Sequence, residues 1–272
     1  MFTNTMYLIE NHTNMHVGSG EANFGTVDRL IQRDAITGYP IIHASSLKGA
    51  LREFCEFRHN ADDAPTFIEH TFGNENNAGK VRFYDAWLLS VPFRSDREPY
   101  FMCTSPKAVA QLLEMARVMG IEIEGKEAFE QVVNYRYAYI GIRRDNARIE
   151  DFDANTVGNI DFNALEKLLG GPVAIVPDKL FDSLLKDLPV IARNQLENGE
   201  SKNLWYEEVL PRKSRLFTFV STPTNLNDDD AASLANHFQR LHGYLGDETP
   251  IQLGANASVG YGLCRFTEVG RA

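Results

Sequence analysis

A histidine and an aspartate near the start of the chain are residue types suited to phosphodiester cleavage. His16 ends the first predicted strand, and Asp28, with Asp34 close behind it, lies in the polar segment that follows. A carboxylate near an imidazole can hold a divalent cation or position an attacking hydroxyl group. The spacing matches no local metal motif. The alternative is a hydrogen-bonded surface histidine, with Asp28 paired to Arg29 or Arg33.

A second group of residues combines hydroxyls and cations at the start of a predicted helix. Ser45 and Ser46 are the predicted N-cap residues, and Lys48 and Arg52 share one helix face. Free N–H groups at a helix N-terminus and cations beside them favour a bound phosphate. Gly49 costs about 1 kcal/mol of helix propensity, which close approach of another backbone would explain. The alternative is an ordinary N-cap with two solvated bases.

A third segment, residues 254–262, is rich in glycine and leads into the last predicted strand. Glycines allow a chain to approach a phosphate backbone closely, and the predicted contacts are Gly254, Asn256, Gly260 and Gly262. The segment is neither a Walker A loop nor a dinucleotide fingerprint, because a strand follows it. The alternative is a long glycine-rich turn.

A fourth segment, residues 204–212, places two carboxylates beside two aromatic rings. Glu207 and Glu208 follow Trp205 and Tyr206, a combination that could join acid–base chemistry to base stacking. The local pattern favours a simpler interpretation. It predicts a strand with one solvated edge, whose glutamates lie in water and whose aromatic rings lie in the core.

The elements that must position these residues predict an α+β fold. Strands and helices are interspersed without a regular βα repeat, which favours an open sheet with helices on one face and long insertions. Residues 120–160 are poorly periodic, and residues 194–203 are predicted to be exposed. Strands are predicted at 6–17, 79–89, 216–220 and 263–269, helices from Ser45, at 106–119, from Asp161, from Asp178 and at 228–244, and loops at 21–40 and 60–79.

Composition limits the function classes without choosing one. The chain has 272 residues, 43% of them hydrophobic, and a net charge of −10. The negative charge alone argues against nucleic acid, because phosphate contacts supply most of the affinity in such complexes. Local clusters of bases leave RNA binding open. These clusters are Arg29 and Arg33, Lys48 and Arg52, Arg143, Arg144 and Arg148, and Arg212, Lys213 and Arg215.

Three features that the sequence lacks predict the cellular compartment of the protein. Cys55, Cys103 and Cys264 are too few and too scattered for a disulfide framework or a zinc quartet. No stretch approaches the ~20 apolar residues of a membrane span, and the first residues do not have the pattern of a signal peptide. We therefore expect a cytoplasmic protein with no membrane partner.

Taken together and in this order, these motifs resemble the RAMP superfamily, the repeat-associated RNA-binding subunits of CRISPR systems. The string 45–52, Ser-Ser-Leu-Lys-Gly-Ala-Leu-Arg, is fairly specific for the superfamily. The segment 206–211 points to the backbone subunit of the type III-B Cmr effector complex. Residues 110–195 carry no recognisable signature. The resemblance rests on residues 16–20, 27–34, 38–52, 85–86, 206–211 and 254–262.

The resemblance implies a single RAMP domain over residues 1–272. Its core would be RRM-like (ferredoxin-like), with thumb-type insertions at about residues 120–205. Copies of such a subunit stack into a filament along a CRISPR guide RNA, together with other subunits of the effector complex. Each thumb distorts the duplex that the guide forms with single-stranded target RNA, and the target is cut there at regular intervals.

The resemblance also assigns roles to individual residues. Asp28 would cut the target RNA and bind Mg²⁺ or another divalent metal ion, with His16 and Glu207 as helpers. Some relatives carry a tyrosine after the second glutamate, where this chain has Val209, and Tyr206 is the nearby tyrosine. The residues that would hold the guide backbone are Ser45, Ser46, Lys48, Arg52, Gly254, Asn256, Gly260 and Gly262.

Three other functions stay open at the level of sequence. The first is a RAMP scaffold that binds guide RNA without cutting. The second is a stand-alone RNase that processes guide RNA without metal. The third is a small-molecule enzyme that holds phosphate with the loop 254–262.

Overall fold

In a computed structural model of the chain, residues 1–20, 25–58, 64–224 and 231–272 are described. The helices are α1 Ala44–Arg58, α2 Ala64–Phe72, α3 Pro106–Met119, α4 Lys126–Val133, α5 Phe162–Leu169, α6 Asp178–Leu184 and α7 Ala231–Gly246. The strands are β1 Phe2–Asn11, β2 Ile41–Ile42, β3 Arg82–Phe83, β4 Ala86–Phe93, β5 Phe101–Thr104, β6 Ile140–Ile142, β7 Ala147–Ile149, β8 Phe152–Thr156, β9 Val173–Ile175, β10 Val190–Glu197, β11 Glu200–Glu208, β12 Arg215–Pro223, β13 Ile251–Gln252 and β14 Leu263–Arg271.

Four long strands form the core of the main sheet. Their spatial order is β14-β1-β12-β4, and every neighbouring pair is antiparallel. Helix α1 lies between β1 and β4 in the chain, and α7 lies between β12 and β14. This is the split β-α-β arrangement of a ferredoxin-like fold. The predicted α+β class with an RRM-like core is confirmed.

Helices cover the main sheet on both faces, so the prediction of helices on one face was wrong. Along β1, Tyr7 packs in the core formed with α1 and α7, whereas the next residue, Leu8, packs in the core formed with α3, α4 and α5. Phe217 and Phe219 of β12 lie in the second core and are 0% exposed. An RRM stacks RNA bases on aromatic residues of its sheet. Here the insertion helices cover the corresponding face, and its aromatic residues are buried.

The chain between β4 and β12 supplies the second layer. Its strands extend the sheet beyond β4 in the order β5-β9-β6-β8-β7, and β10 and β11 form a separate hairpin. The elements within residues 120–160 are three to eight residues long, which is too short to give a clear periodicity. The thumb predicted at about 120–205 lies inside this stretch, and its boundaries stay a prediction.

Several predicted elements hold, and others need correction. Helix α3 has Ser105 as its N-cap and Pro106 in its first turn, as predicted. The predicted loop 60–79 contains α2 instead. Residues 60–63 of this loop lie outside the described residues. Residues 21–24 of the predicted loop 21–40 also lie outside them. The first strand ends at Asn11 rather than Val17, and the strand predicted at 79–89 is two strands. The start predicted for α7 at 228 is also outside the described residues.

The first turn of α1 is capped differently from the prediction. The helix begins at Ala44, whose backbone N–H donates to Asp85 Oδ1 at 2.6 Å. Ser45 and Ser46 therefore lie inside the helix, and neither is its N-cap. A carboxylate is favourable here because the N–H groups of a helix N-terminus carry partial positive charge. Asp85 lies between β3 and β4, so the residue that accepts the Ala44 hydrogen bond is also outside both strands.

None of the helices in the described ranges is long and apolar enough to cross a membrane. The three cysteines are free thiols buried in the interior.

We expect Asp85→Ala to lower the free energy of unfolding by about 1 kcal/mol, the usual cost of losing a helix cap. Asp85→Asn keeps an oxygen acceptor for the Ala44 N–H group and serves as the matched control, with a smaller loss. Urea denaturation of both variants measures the difference. Equal stability of Asp85→Ala and wild type would contradict the assigned cap.

Candidate functional site

Three consecutive residues at the end of β11 bring the predicted catalytic residues together. The backbone N–H of Tyr206 donates to Asp28 Oδ2 at 2.8 Å, and the Glu208 carbonyl oxygen lies 2.7 Å from His16 Nδ1. Glu207 lies between these two contacts. Asp28, His16 and Glu207, spread over most of the sequence, therefore belong to one site.

Asp28 is an exposed carboxylate on a backbone that β11 holds in place. The next residue, Arg29, pairs with Glu207 in a parallel bridge; its N–H donates to the Tyr206 carbonyl at 3.1 Å, and its own carbonyl accepts from the Glu208 N–H at 2.9 Å. The predicted alternative, Asp28 paired with Arg29 or Arg33, is wrong, because these arginines bind Glu207 and Glu208. The charge of Asp28 therefore stays available.

His16 is buried, and its hydrogen bond fixes the position of its protons. A carbonyl oxygen only accepts hydrogen bonds, so Nδ1 must carry the hydrogen that reaches Glu208. In the neutral ring, Nε2 then has the free lone pair. A Cβ at Gly18 would lie 3.1 Å from Nε2. A side chain at position 18 would therefore crowd this nitrogen.

Glu207 is 0% exposed and binds four donors. Arg29 Nη1 and Trp205 Nε1 each lie 2.9 Å from Oε1, while Asn256 Nδ2 at 2.9 Å and Arg193 Nε at 3.2 Å contact Oε2. Burial alone would raise the pKa of this carboxyl, but the Trp205 hydrogen bond and the nearby positive charges lower it below its ordinary value. Glu207 is held as an anion by residues from three separate segments.

The prediction of solvated glutamates and buried aromatic rings at residues 204–212 was wrong. Glu208 is 4% exposed, whereas Tyr206 is 41% exposed. Glu208 accepts from the Ile31 N–H at 3.1 Å and forms an ion pair with Arg33. The glutamates are buried because arginines distant in the sequence pair with them. A buried carboxylate is tolerated when it is paired and hydrogen-bonded.

His16, Asp28 and Arg29 border an open cleft of about 590 Å³. Backbone from residues 18–20 forms one side, and the hairpin residues Asn203, Leu204 and Trp205 form another. The Arg29 guanidinium lies over the Trp205 ring, 5.2 Å from its centroid. The cleft thus offers a free carboxylate, an imidazole nitrogen and a guanidinium to a substrate.

Within the described ranges, no group of three or more His, Cys, Asp or Glu side chains could hold a metal ion. Glu207 is already neutralised by arginines, which leaves Asp28 as the carboxylate that faces the cleft. Mg²⁺ commonly binds one or two carboxylates, retains water and takes its remaining ligands from substrate phosphate. One carboxylate in an open cleft fits that pattern. It does not fit a metal ion held by the protein alone.

The predicted guide-binding residues of α1 occupy different environments. Ser45 is exposed, and Ser46 Oγ accepts from Gln32 Nε2 at 3.0 Å. Lys48 is half-buried. Arg52 turns away from the start of the helix, donating to the Gly73 carbonyl at 2.9 Å and to Glu56 at 2.8 Å. The predicted pair of cations over the helix N-terminus is not formed.

The loop 254–262 contains glycines of two kinds. Cβ atoms at Gly254 and Gly262 would lie 2.4 Å from His16 O and 1.9 Å from Leu253 O, so the fold itself requires these glycines. Gly260 has no atom within 4 Å of such a Cβ. Asn256 reaches Glu207, and the Ala255 N–H donates to the His16 carbonyl at 2.9 Å. The loop is therefore attached directly to the cleft.

The comparisons with known proteins agree with this architecture. A family model of the RAMP superfamily matches residues 8–265. The chain belongs to the RAMP superfamily. This RAMP protein is 28% identical, over 280 residues, to the CRISPR system Cmr endoribonuclease Cmr4 of Pyrococcus furiosus, and the match covers 94% of this chain and 92% of the relative.

Two solved structures share the fold of this RAMP protein. A chain of the Type III-B Cmr-beta complex bound to cognate target RNA matches with a TM-score of 0.77 at 20% identity, covering 98% of this chain and 97% of the other. Oligomeric Cmr4 from Pyrococcus furiosus matches with a TM-score of 0.74 at 24% identity, covering 99% of both chains.

Sequence reasoning missed several residues that build the site of this RAMP protein. Arg193 lies on β10, next to the segment that was predicted to be an exposed excursion. Gln32 joins two segments, since its side chain binds both Ser46 and the Gly18 carbonyl. A lone arginine in a polar stretch gives no signal of this kind. The two adjacent glutamates of β11, which need cations if they are buried, were the available clue.

We expect Glu207→Gln to destabilise the RAMP protein by about 2 kcal/mol at neutral pH, because it removes hydrogen bonds to a charged group. The pKa of Glu207 is lowered in the folded state, so the stability that its charge contributes is present above its ordinary value of 4.5. That contribution is lost as the pH falls through the lowered pKa, and the gap between variant and wild type closes.

Denaturant unfolding at a series of pH values measures this gap. Glu268→Gln is the matched control, because Glu268 is exposed and pairs only at the surface with Arg271. A gap for Glu207→Gln that stays constant through the acidic range would contradict the assignment of a buried anion.

Proposed function

We propose that this chain is a guide-RNA-binding backbone subunit of a type III-B CRISPR effector complex, and that it cuts complementary target RNA at regular intervals. The observation that carries the proposal is that the exposed Asp28 carboxylate, which has no ion pair among the described residues, lines the same cleft as His16. The Pyrococcus relative called a Cmr endoribonuclease supports it, since the match runs along nearly the whole chain.

His16 and Asp28 divide the chemistry of the cut. Nε2 of a neutral His16 can take a proton from the attacking hydroxyl, because the Glu208 carbonyl holds the other nitrogen as a donor. Asp28 orients the reacting groups from the opposite segment. The exposed guanidinium of Arg29 lies beside them, where it can contact the phosphate.

A divalent metal ion, Mg²⁺ in our proposal, would bind Asp28 together with oxygens of the target phosphate. When bound, it supplies Lewis-acid stabilisation of the charge that develops on that phosphate. Because the chain contributes one carboxylate, binding requires the substrate. We therefore expect little metal affinity in the chain without RNA.

The guide RNA would run over the exposed side of α1 and the open part of the glycine-rich loop. Apart from each glycine's own chain neighbours and the backbone of its own helix, no atom of the described residues lies within 4 Å of a Cβ built at Gly49 or Gly260, so a sugar–phosphate backbone could approach both. Ser45 and Lys48 lie on the same helix as Gly49. Contacts of this kind recognise the backbone and accept any guide sequence.

The hairpin β10–β11 would serve as the thumb beside each cut. Leu204 is 53% exposed and lines the cleft that contains Asp28. An apolar side chain at that point can occupy the space of a displaced base. Copies of the chain, stacked along the guide with other subunits, would repeat this arrangement at a fixed interval.

The test of this function is cleavage of guide-complementary RNA by the reconstituted complex. We expect Asp28→Asn to slow all regularly spaced cuts by about 100-fold or more, with guide and target binding retained. EDTA should have the same effect on the wild-type complex. Asp151→Asn is the matched control, because the Asp151 side chain is 95% exposed and lies outside the cleft.

The rival functions are outcomes of the same experiment. Unchanged cutting by Asp28→Asn would overturn the nuclease assignment and leave a guide-binding scaffold. Cleavage of repeat RNA by the isolated chain in EDTA would indicate a guide-processing RNase. Failure of the purified chain to bind guide RNA at all would contradict both the proposed nuclease subunit and the guide-binding scaffold.

Gly49→Ala separates guide binding from folding. Replacing a glycine in a helix by alanine stabilises the chain by about 0.5–1 kcal/mol, yet the added methyl group would face the proposed guide path. We expect higher thermal stability and weaker guide binding in the same variant. Gly243→Ala in α7 is the matched control, since its site is equally open, and it should leave binding unchanged.

A further inference from the structure

We propose that Arg193 is a positioning residue for RNA cleavage, which acts through Glu207 and Arg29 to hold Asp28 in the cutting position. The inference rests on the proposed function, because it assigns Asp28 to the cut. It concerns a residue of the hairpin that is not among those lining the cleft.

Arg193 lies between the hairpin and the glycine-rich loop. It sits opposite Trp205 in the β10–β11 register. Its Nε donates to Glu207 Oε2 at 3.2 Å, and its guanidinium carbon lies 4.4 Å from the centroid of the Tyr261 ring. The side chain is 20% exposed, although its strand is largely exposed.

A continuous set of contacts leads from Arg193 to Asp28. Arg193 and Asn256 both donate to Oε2 of Glu207, which leaves Oε1 for Arg29 and the Trp205 indole. Arg29 is the neighbour of Asp28 in the chain and pairs with β11 through its backbone. The orientation of the Glu207 carboxylate therefore sets the position of the cutting segment.

The environment of the Arg193 side chain is unfavourable for an arginine considered by itself. Arg193 Nη2 is buried and has no hydrogen-bond partner among the described residues, and an unsatisfied buried donor is unfavourable. The guanidinium is placed to give Glu207 a second cation besides the more exposed Arg29. Without Arg193, the buried Glu207 carboxylate would keep the exposed Arg29 as its one arginine partner, and its orientation beside the Asp28 segment would be less firmly set.

The first test compares cleavage by complexes that carry Arg193→Gln, Arg193→Lys or the control Arg94→Gln. Arg94 forms a surface ion pair with Glu150. A misplacement of about 1 Å costs up to about 100-fold in rate, so we expect Arg193→Gln to cut between about 10- and 100-fold more slowly. Arg193→Lys should recover part of the rate. Guide binding, target binding and the control should stay at the wild-type level.

A double variant separates positioning from a direct RNA contact. In Arg193→Gln with Glu207→Gln, two neutral amides can still hydrogen-bond and no buried charge lacks a cation. If Arg193 acts through Glu207, the double variant should cut faster than Arg193→Gln alone, because the two changes are coupled. Additive losses, or a loss of target binding in the single variant, would overturn the proposal.

Trp205 gives a readout in the isolated chain that is independent of cutting. The chain has two tryptophans, so Trp87→Phe leaves the emission of Trp205 alone. In that background, Arg193→Gln should shift Trp205 emission to longer wavelength as water reaches Glu207, and Arg94→Gln should not. An unchanged spectrum would overturn the proposal. A shifted spectrum together with cutting that is insensitive to Asp28→Asn would overturn the proposed nuclease function instead.

Discussion

Two buried carboxylates at the end of one strand organise the whole site. Glu207 and Glu208 lie in the interior, where an unpaired charge is strongly unfavourable. Each therefore requires an arginine, and the chain supplies Arg29 and Arg33 from one short segment. Neutralising the carboxylates thus fixes the segment that begins at Asp28. Asp28 is exposed and has no ion pair among the described residues, so its environment differs from that of the two buried acids.

The closed sheet explains why the site is built from loops and strand ends. Phe217 and Phe219 occupy positions on β12 that an open RRM-like sheet would present to RNA, and here they support the insertion helices. The surfaces that remain open are the exposed side of α1, the cleft and the loop 254–262. These surfaces offer backbone amides, small residues and scattered cations, which suit a phosphate chain more than base edges.

Sequence reasoning succeeded where local chemistry determines structure. Ser105 and Pro106 predicted the start of α3 correctly, because a cap and a first-turn proline act within a few residues. It failed at Glu207, whose burial depends on Arg29, 178 residues away along the chain, and on its hairpin neighbour Arg193. The role of Asp28 came from the family resemblance, since its spacing to His16 alone supported several interpretations. The structure removed one of these interpretations, because Arg29 and Arg33 pair with Glu207 and Glu208 instead.

The hairpin β10–β11 is held at its base by Glu207, and its tip is a turn at residues 198–199. At about 3.3 Å per residue, the eight residues between the two span roughly 26 Å. A tilt of about 10° at the base would therefore carry the tip through about 4–5 Å, close to one strand spacing. The far end of the hairpin thus moves much more than its base, and the base lies next to Asp28. A contact at the far end of the hairpin would therefore be felt at the segment that carries Asp28.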